Sequence, residues 1–539
     1  MQPSHLTDVD GPLPSGATVV PTFQKNSIPN GTSAERMHTA ESKYSMLFST
    51  VDLNKSIRKR AVKASVYVMG AEIGSSILRI GSTAVLARLL VPGDFGLLAM
   101  VTALTVFAER FKDLGLSDAT VQTREITHRQ ASTLFWINMA ICVVIMFLVA
   151  GLSKSIAWFY DEPRLTGIAL VIATTFLFSG IVIQHQAILR RQLRFGSLAL
   201  VNLISITLSL LVAVGMAYWG FGYWALVGRE LSRAIFVAIG TWVACPWIPA
   251  RPERGTGISH LISFGKHVTG FNLVHFFSRS LDKILLGRFH GSYWVGLYTN
   301  AYHLILLPIN QLEYPVKTVA LPSLSALQRD PSSFRVYFEK ALGWLTFVCM
   351  PVVVFLAIFA DMVVDLLLGP QWKEAVTVCR ILAIGAFADP MTHAAGPVIM
   401  ALGKTKEYFK LGLINSLTML CCVAAGTPWG AIGVAAGYSV ASYLGGTVYF
   451  AYGLRNTPIR VHALFRIMIP ALICSLAAGA VVLLIRHLIG WNVAVYWLFV
   501  FAGTGATVYL LSWLAIPGGK KVLGEYLAQA KTLVPSKRS

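Results

Sequence analysis

The chain has 539 residues, of which 55% are hydrophobic and only 13% are charged, and its mean hydropathy is +0.63. A soluble protein of this size needs a more polar surface, so the composition excludes an ordinary soluble domain and indicates a membrane protein. The formal net charge of +20 would also suit a nucleic-acid-binding protein, and its distribution along the chain decides between the two.

Residues 1–64 differ from the rest of the chain. They are rich in Pro, Ser, Thr and Gly and contain no long apolar run, which predicts a disordered cytoplasmic tail. A basic cluster precedes the first apolar segment, which begins near Val66, and no short apolar region with a cleavage site comes before it. We therefore expect a retained signal anchor rather than a cleaved signal peptide.

Apolar stretches long enough to cross a membrane as helices recur from Val66 to Leu514. Backbone polar groups in lipid must be satisfied internally, so the predicted fold is an all-α polytopic membrane protein with about 14 transmembrane helices. The predicted spans are 65–91, 94–115, 131–151, 166–186, 197–218, 223–245, 258–287, 294–318, 338–361, 376–402, 408–426, 430–453, 464–485 and 493–515. Residues 519–534 are predicted to form an interfacial helix.

Basic residues are concentrated in alternate connections and in both tails. Arg190, Arg191 and Arg194 lie in one such connection, whereas the opposite connections are short and poor in Lys and Arg. The positive-inside rule then predicts that both termini lie in the cytoplasm. Topology accounts for the net charge, so no nucleic-acid partner is expected.

The seven cysteines lie mostly inside apolar runs and lack the paired spacings of a zinc site or a disulfide framework. We expect them to serve packing in the membrane. The sequence predicts no metal and no cofactor.

A shift of 200 positions superposes Gly70 on Gly270, Arg79 on Arg279 and Gly96 on Gly296. The first and seventh spans are therefore predicted repeats. This gives an N-terminal lobe at 65–250 and a C-terminal lobe at 251–455, each with six helices. Two further helices follow at 456–515, and then a cytoplasmic tail at 516–539. In transporters built from repeats, the binding site lies between them.

Arg79 falls halfway along the first span, where an arginine facing lipid costs about 2.5–3.5 kcal/mol on insertion scales. It must face a partner or water, which predicts a cavity. Arg279 precedes Asp282 by three positions, so that pair could instead neutralise itself structurally. Arg229 and Arg233 lie four positions apart in the sixth span, and one of them could pair with Glu230.

Several ordered segments resemble Wzx-type polysaccharide exporters over roughly residues 65–455. They read LARLLVPGDFGLLAM (86–100), DLGLSDATVQ (113–122), FYDEPRL (159–165), ILRRQLRF (188–195), GFGYWALV (220–227), GLYTNAYHL (296–304), LPSLSALQRD (321–330) and GPQWKEAV (369–376). Each motif is short, but their order and spacing together are specific. These exporters form the polysaccharide branch of the multidrug/oligosaccharidyl-lipid/polysaccharide exporter superfamily.

The resemblance implies a flippase that moves undecaprenyl-diphosphate-linked oligosaccharides outward by alternating access, for exopolysaccharide, capsule or O-antigen synthesis. It implies no catalytic chemistry. The implied partners are the lipid-linked oligosaccharide, membrane lipids, a polysaccharide polymerase and a chain-length regulator. The coupling ion, H⁺ or Na⁺, is left open.

Similarity to the related lipid II flippases carries cationic-cavity roles onto Arg79, Asp94 and Arg110 of this chain. The repeat and the second-lobe motif add further candidates for substrate binding. These are Arg279, Asp282, Lys283 and His303. His303 is a departure, since relatives often have Arg at that position of the motif.

Three other functions are weighed against this one. A lipid II flippase and a multidrug antiporter belong to the same superfamily, but an antiporter cavity is expected to favour cations through acidic or aromatic residues. A membrane polysaccharide polymerase or ligase needs an outer catalytic loop, and the longest predicted outer connection is only 153–165.

Overall fold

The computed structural model describes residues 57–113, 115–123, 126–252, 259–455, 457–459, 461–490 and 496–533. Within these ranges, the side chains of residues 57–69, 110, 259–279, 307, 314–318, 391–394, 461 and 527–533 are not described. Most of the predicted N-terminal tail lies outside the described residues.

Helices and turns make up the described ranges, which contain no strand. The helices are α1 (Ile57–Leu89), α2 (Pro92–Phe111), α3 (Leu116–Gln122), α4 (His128–Gly151), α5 (Ser153–Tyr160), α6 (Arg164–Arg191), α7 (Phe195–Tyr218), α8 (Tyr223–Ala244), α9 (Ser259–Ala326), α10 (Pro331–Ile358), α11 (Ala360–Leu367), α12 (Ala375–Ala386), α13 (Asp389–Ala401), α14 (Thr405–Gly426), α15 (Gly430–Val448), α16 (Val461–Ile489), α17 (Trp497–Ala515) and α18 (Gly519–Leu533). The all-α prediction is confirmed.

Eight segments of the described chain are helical, long and apolar enough to cross a membrane. The count of fourteen spans stays a prediction. Helix α8 is outside those eight because it carries Arg229, Glu230 and Arg233 in its first half. Charge inside a long helix of a membrane protein marks a face that does not contact lipid.

Two breaks in the helices bear on the predicted spans. Gly291, with φ 83° and ψ 179°, interrupts α9 between the predicted spans 258–287 and 294–318. The single span predicted at 376–402 is wrong in its continuity, because α12 ends at Ala386 and α13 begins at Asp389. Pro390 lies in the first turn of α13, where its missing N–H removes no helical hydrogen bond.

Asp330 caps the N-terminus of α10. Its Oδ1 accepts hydrogen bonds from the backbone N–H of Ser332 (3.0 Å) and of Ser333 (3.2 Å). The Ser332 hydroxyl donates to the same oxygen at 2.6 Å, and together with the other bonds from Ser332 and Ser333 it stabilises the carboxylate, so the pKa of Asp330 lies well below its usual range. The cap fixes the first turn of α10.

The two halves of the chain meet at a pair of glycines. A Cβ added to Gly96 on α2 would overlap the backbone carbonyl of Ser292, and one added to Gly296 on α9 would overlap the carbonyl of Pro92. Residues 92 and 96 are offset from residues 292 and 296 by the 200 positions of the predicted repeat. The crossing is therefore two-fold symmetric, and only glycine permits this approach of the backbones.

Hydrogen bonds between the halves surround this crossing. Arg88 donates from Nη2 to the carbonyl of Leu366 (2.7 Å), and Trp372 donates from Nε1 to the carbonyl of Ala87 (2.9 Å). Arg88 is thus bound to the other half rather than only extended toward head groups. This end of the bundle is closed.

We expect Gly96→Ala to lower the Tm of the purified protein by several degrees, because the new methyl meets backbone that cannot rotate away. Gly93→Ala, one turn earlier, is the matched control, since its Cβ would lie 3.7 Å from Ser292 Oγ in ordinary contact. Thermal unfolding in detergent measures both. Equal Tm values for the two variants would contradict the tight crossing.

Candidate functional site

A cavity of about 290 Å³ lies between the two halves. Its walls come from α1, α7 and α8 on one side and from α9, α10 and α11 on the other. The lining residues are Arg79, Ile80, Ser82, Thr83, Ala84, Ile206, Ser209, Arg229, Glu230, Arg233, Asn300, His303, Leu304, Pro308, Leu356, Val363, Leu367 and Leu368. The cavity is mainly apolar, with its charged groups on α1 and α8.

Arg79 reaches the cavity from α1 while bound to its own helix. Its Nη2 lies 2.9 Å from Glu72 Oε1 and also donates to Ser76 Oγ at 2.9 Å. The Arg79 and Glu72 side chains are 37% and 43% exposed, so this ion pair faces open space. A solvated pair of this kind is weak and can exchange partners.

Arg229 and Arg233 bring two further guanidinium groups from α8. Arg229 donates to Glu230 Oε1 from Nη2 at 3.0 Å and from Nε at 3.2 Å. The Nε of Arg233 is buried and makes no hydrogen bond to any described residue. Three arginines stand against two carboxylates, those of Glu72 and Glu230, which leaves an excess of one positive charge.

A second cavity, of about 580 Å³, lies within the first half of the chain and shares Glu230 and Arg233 with the first. Its polar lining is rich in hydroxyl and amide groups. These come from Thr102, Thr105, Ser117, Thr175, Ser179 and Gln186, and the other charged groups are Glu109, Lys112, Asp113, Asp118 and Arg190. Arg233 is therefore at the boundary between an apolar and a polar cavity.

The predicted site residues do not all lie together. Arg79 and His303 line the first cavity. Asp94 lies instead in the first turn of α2, where its Oδ2 accepts the N–H of Val91 at 3.3 Å. Asp282 is buried and accepts the N–H of Lys283 at 2.8 Å.

Lys283 is close to the cavity without lining it. Its Nζ lies 5.3 Å from the ring centroid of Tyr302, and it interacts electrostatically with His303. The side chains of Arg110 and Arg279 lie outside the described residues, so the predicted pairing of Arg79 with Arg279 in one cavity stays a prediction.

The candidate set omits Arg229, Glu230 and Arg233, which the structure places at the centre of the site. The sequence feature that could have identified them is a pair of arginines one helical turn apart inside a span. Their side chains are too far from either helix end to extend to the lipid head groups. The sequence pattern also allows the Arg229–Glu230 ion pair, which is present at 3.0 Å.

No group of three or more His, Cys, Asp or Glu side chains within the described ranges could hold a metal ion. His185 is buried, with its Nε2 2.9 Å from the carbonyl of Trp247 and its ring stacked on Trp242. This histidine has a packing role.

Residues 85–377 match the model of the family described as polysaccharide biosynthesis protein. The chain belongs to this family. The match covers more than half of the chain and includes the glycine crossing and every lining residue of the first cavity except those of α1. The predicted membership of the polysaccharide exporter family is confirmed.

Two relatives match most of the chain. The teichuronic acid biosynthesis protein TuaB of Bacillus subtilis (strain 168) is 27% identical over 438 residues, which are 79% of this chain and 89% of TuaB. The lipopolysaccharide biosynthesis protein WzxC of Escherichia coli (strain K12) is 22% identical over 439 residues, with the same coverage of 79% and 89%.

The fold is that of a solved transporter, the lipid II flippase MurJ in an inward closed conformation. The superposition has a TM-score of 0.68 at 15% sequence identity and covers 83% of this chain and 98% of MurJ. At this identity the likeness establishes the fold.

We expect Arg79→Gln to change stability much less than Arg486→Gln. Arg486 on α16 is 2% exposed and pairs with Asp361, which is 36% exposed and also lies 3.7 Å from Arg380, so the loss of Arg486 should cost about 1.5–3 kcal/mol. The half-exposed Arg79–Glu72 pair should contribute about 0–1 kcal/mol.

Thermal unfolding of both variants, with Glu72→Gln/Arg79→Gln as a third, measures the difference. If Arg79 has only a structural role, we expect the opposite order of stabilities. In that case Arg79→Gln unfolds far more easily than the parent and the double variant recovers its Tm.

Proposed function

We propose that the protein flips an oligosaccharide linked to undecaprenyl diphosphate across the bacterial inner membrane by alternating access. The observation that carries this proposal is the position of Arg233, a half-buried guanidinium group between an apolar cavity and a hydroxyl-lined cavity. The order apolar, cationic, polar along these cavities matches the order of tail, diphosphate and sugar in such a lipid.

The diphosphate is the part of the substrate that hydrocarbon rejects most strongly. Removing its charges from water costs more than any single contact returns, so several fixed donors must replace the hydration shell. Guanidinium groups can donate two parallel hydrogen bonds to one phosphate. Arg79, Arg229 and Arg233 are the proposed ligands, with His303 on the opposite wall.

The two ends of the substrate fit different walls. Leu304, Leu356 and Leu367 belong to the apolar lining that would accept the first isoprene units of the polyprenyl chain. Sugar hydroxyl groups both donate and accept hydrogen bonds, which suits the hydroxyl and amide groups of the second cavity. Translocation in this arrangement makes and breaks no covalent bond.

Orientation follows from the positive-inside rule. With both termini in the cytoplasm, the glycine crossing of Gly96 and Gly296 faces the outside, and the closed end is the outer end. Outward release then requires α2 and α9 to separate there. The proposal also includes a coupling ion, H⁺ or Na⁺, and a complex with a polysaccharide polymerase and a chain-length regulator.

The arrangement favours this function over its rivals. The excess of positive charge in the first cavity disfavours cationic drugs there. The longest predicted outer connection, 153–165, contains α5, whose Ile156, Ala157 and Tyr160 are buried in the core, so a polymerase or ligase has little room there. A lipid II flippase would use the same cationic chemistry, and the sugar carried is the difference between them.

We expect Arg233→Gln to reduce flipping of the lipid-linked oligosaccharide by about 10–100-fold, since a hydrogen bond to a charged group contributes about 1.5–3 kcal/mol. Arg233→Lys should keep part of the rate through its point charge. The assay is accumulation of the lipid-linked sugar on the inner leaflet, normalised to the amount of protein in the membrane.

Arg288→Gln is the control, because Arg288 is exposed and does not line the cavity. Parental flipping by Arg233→Gln, or an equal loss in the control, would remove the main support for the proposal.

The orientation has its own test. Cysteines introduced at Gly222 and Trp429 should react with a membrane-impermeant thiol reagent in whole cells, and those at Gln192 and Thr405 should not, because the basic connections stay inside. A reversed pattern would invert the proposed direction of the closed end.

A further inference from the structure

A third cavity, of about 450 Å³, lies apart from the other two, at the end of the bundle where α10 and α16 begin. Helices α17 and α18 complete its walls. The lining residues are Arg335, Glu339, His462, Ala463, Arg466, Ile467, Pro470, Trp513, Val522 and Tyr526. None of them lines the cavities assigned to transport.

Helix α18 is docked so that it forms one wall of this cavity. The ring of Tyr526 lies 5.1 Å from that of Phe347 and 6.3 Å from that of Trp513, measured between centroids. Tyr526 Oη rests against Gly343, where any side chain would displace it. Helix α18 is thus held against α10 and α17, and its position gives the cavity a defined wall.

The cavity presents hydrogen-bond donors that the described residues leave unused. Arg335 lies only 3.4 Å from Glu339 Oε1 through Nε, which leaves its terminal NH₂ groups available. Arg466 adds a second guanidinium group, against the single carboxylate of Glu339.

The residues around this cavity also include one hydrogen-bond acceptor. Pro470 lies inside α16 and has no N–H, so the carbonyl of Arg466, four residues earlier, lacks its helical donor. A ligand that carries hydroxyl groups could bond to it. Cationic donors and a free carbonyl in one cavity suit a phosphate ester with a hydroxylated substituent.

The surroundings favour a lipid over a soluble phosphate. Ala463, Ile467 and Val522 form apolar walls in the cavity itself. Beyond it, Ile469 and Ile473 on α16 are 47% and 56% exposed, as expected of a lipid-facing surface. Lys520 and Lys521 are exposed in the first turn of α18 and add positive charge at this end.

We propose that this cavity binds the headgroup of an anionic phospholipid, with Arg335 and Arg466 donating to its phosphate. The acyl chains then lie along the exposed apolar side of α16. In the proposed orientation this end faces the cytoplasm, where anionic headgroups and basic side chains meet. The site is separate from the transport cavities and does not rest on the transported substrate.

The experiment measures lipid binding to the purified full-length protein by native mass spectrometry. Phosphatidylglycerol is compared with phosphatidylcholine, undecaprenyl diphosphate and inorganic phosphate. We expect Arg335→Gln/Arg466→Gln to weaken phosphatidylglycerol binding about tenfold or more, because two charge-assisted contacts are lost.

Arg251→Gln is the control, because this exposed arginine does not line the cavity, and it should bind like the parent. Equal binding of phosphatidylglycerol by all variants, or equal affinity of the parent for phosphatidylcholine, would overturn the proposal. So would inorganic phosphate or undecaprenyl diphosphate that binds through Arg335 and Arg466 more tightly than phosphatidylglycerol.

Discussion

A guanidinium group inside a membrane span has to be solvated by protein or by water, because hydrocarbon provides neither hydrogen-bond acceptors nor a counter-charge. Arg79, Arg229 and Arg233 meet this constraint by facing cavities rather than lipid. The same constraint explains why α8 carries too many charges for an ordinary span although it is a long helix of the bundle. The arginines therefore require α1, α7, α8 and the second half to enclose open space, and that space is the site.

The glycine crossing is a second constraint, and it acts on the same helices. Gly96 and Gly296 bring α2 and α9 into backbone contact, and Arg88 bonds across to Leu366 next to them. Large buried side chains of both halves, among them Leu97 and Tyr298, pack around these contacts, so this end of the cavity is firmly closed. A close crossing near a repeat axis can thus close one end of the cavity while its walls stay intact. This is the arrangement that alternating access needs at its outer end.

Much of the fold could be predicted from the sequence, because helix formation in lipid depends on apolar length, which is local information. The ends of α6, α7 and α8 lie within a few residues of the predicted spans. The break between α12 and α13 and the docking of α18 through Tyr526 depend on contacts between distant residues. At the site, the position of Arg79 halfway along a span was enough to predict that it lines a cavity. The roles of Glu230 and Arg233 could not be predicted, since the residues that they face come from other helices.

Partial pairing of the cavity arginines suits a carrier better than a fixed binding protein. Three unpaired guanidinium groups, each with charge-assisted bonds of about 1.5–3 kcal/mol, would hold a diphosphate too tightly for release. Here Glu72 and Glu230 already occupy Arg79 and Arg229, so an arriving phosphate must displace a carboxylate before it gains the full contact. Each displaced carboxylate can return when the cavity opens to the other side. In the proposed mechanism, Arg233 attracts the substrate, while the paired arginines limit how strongly it is held.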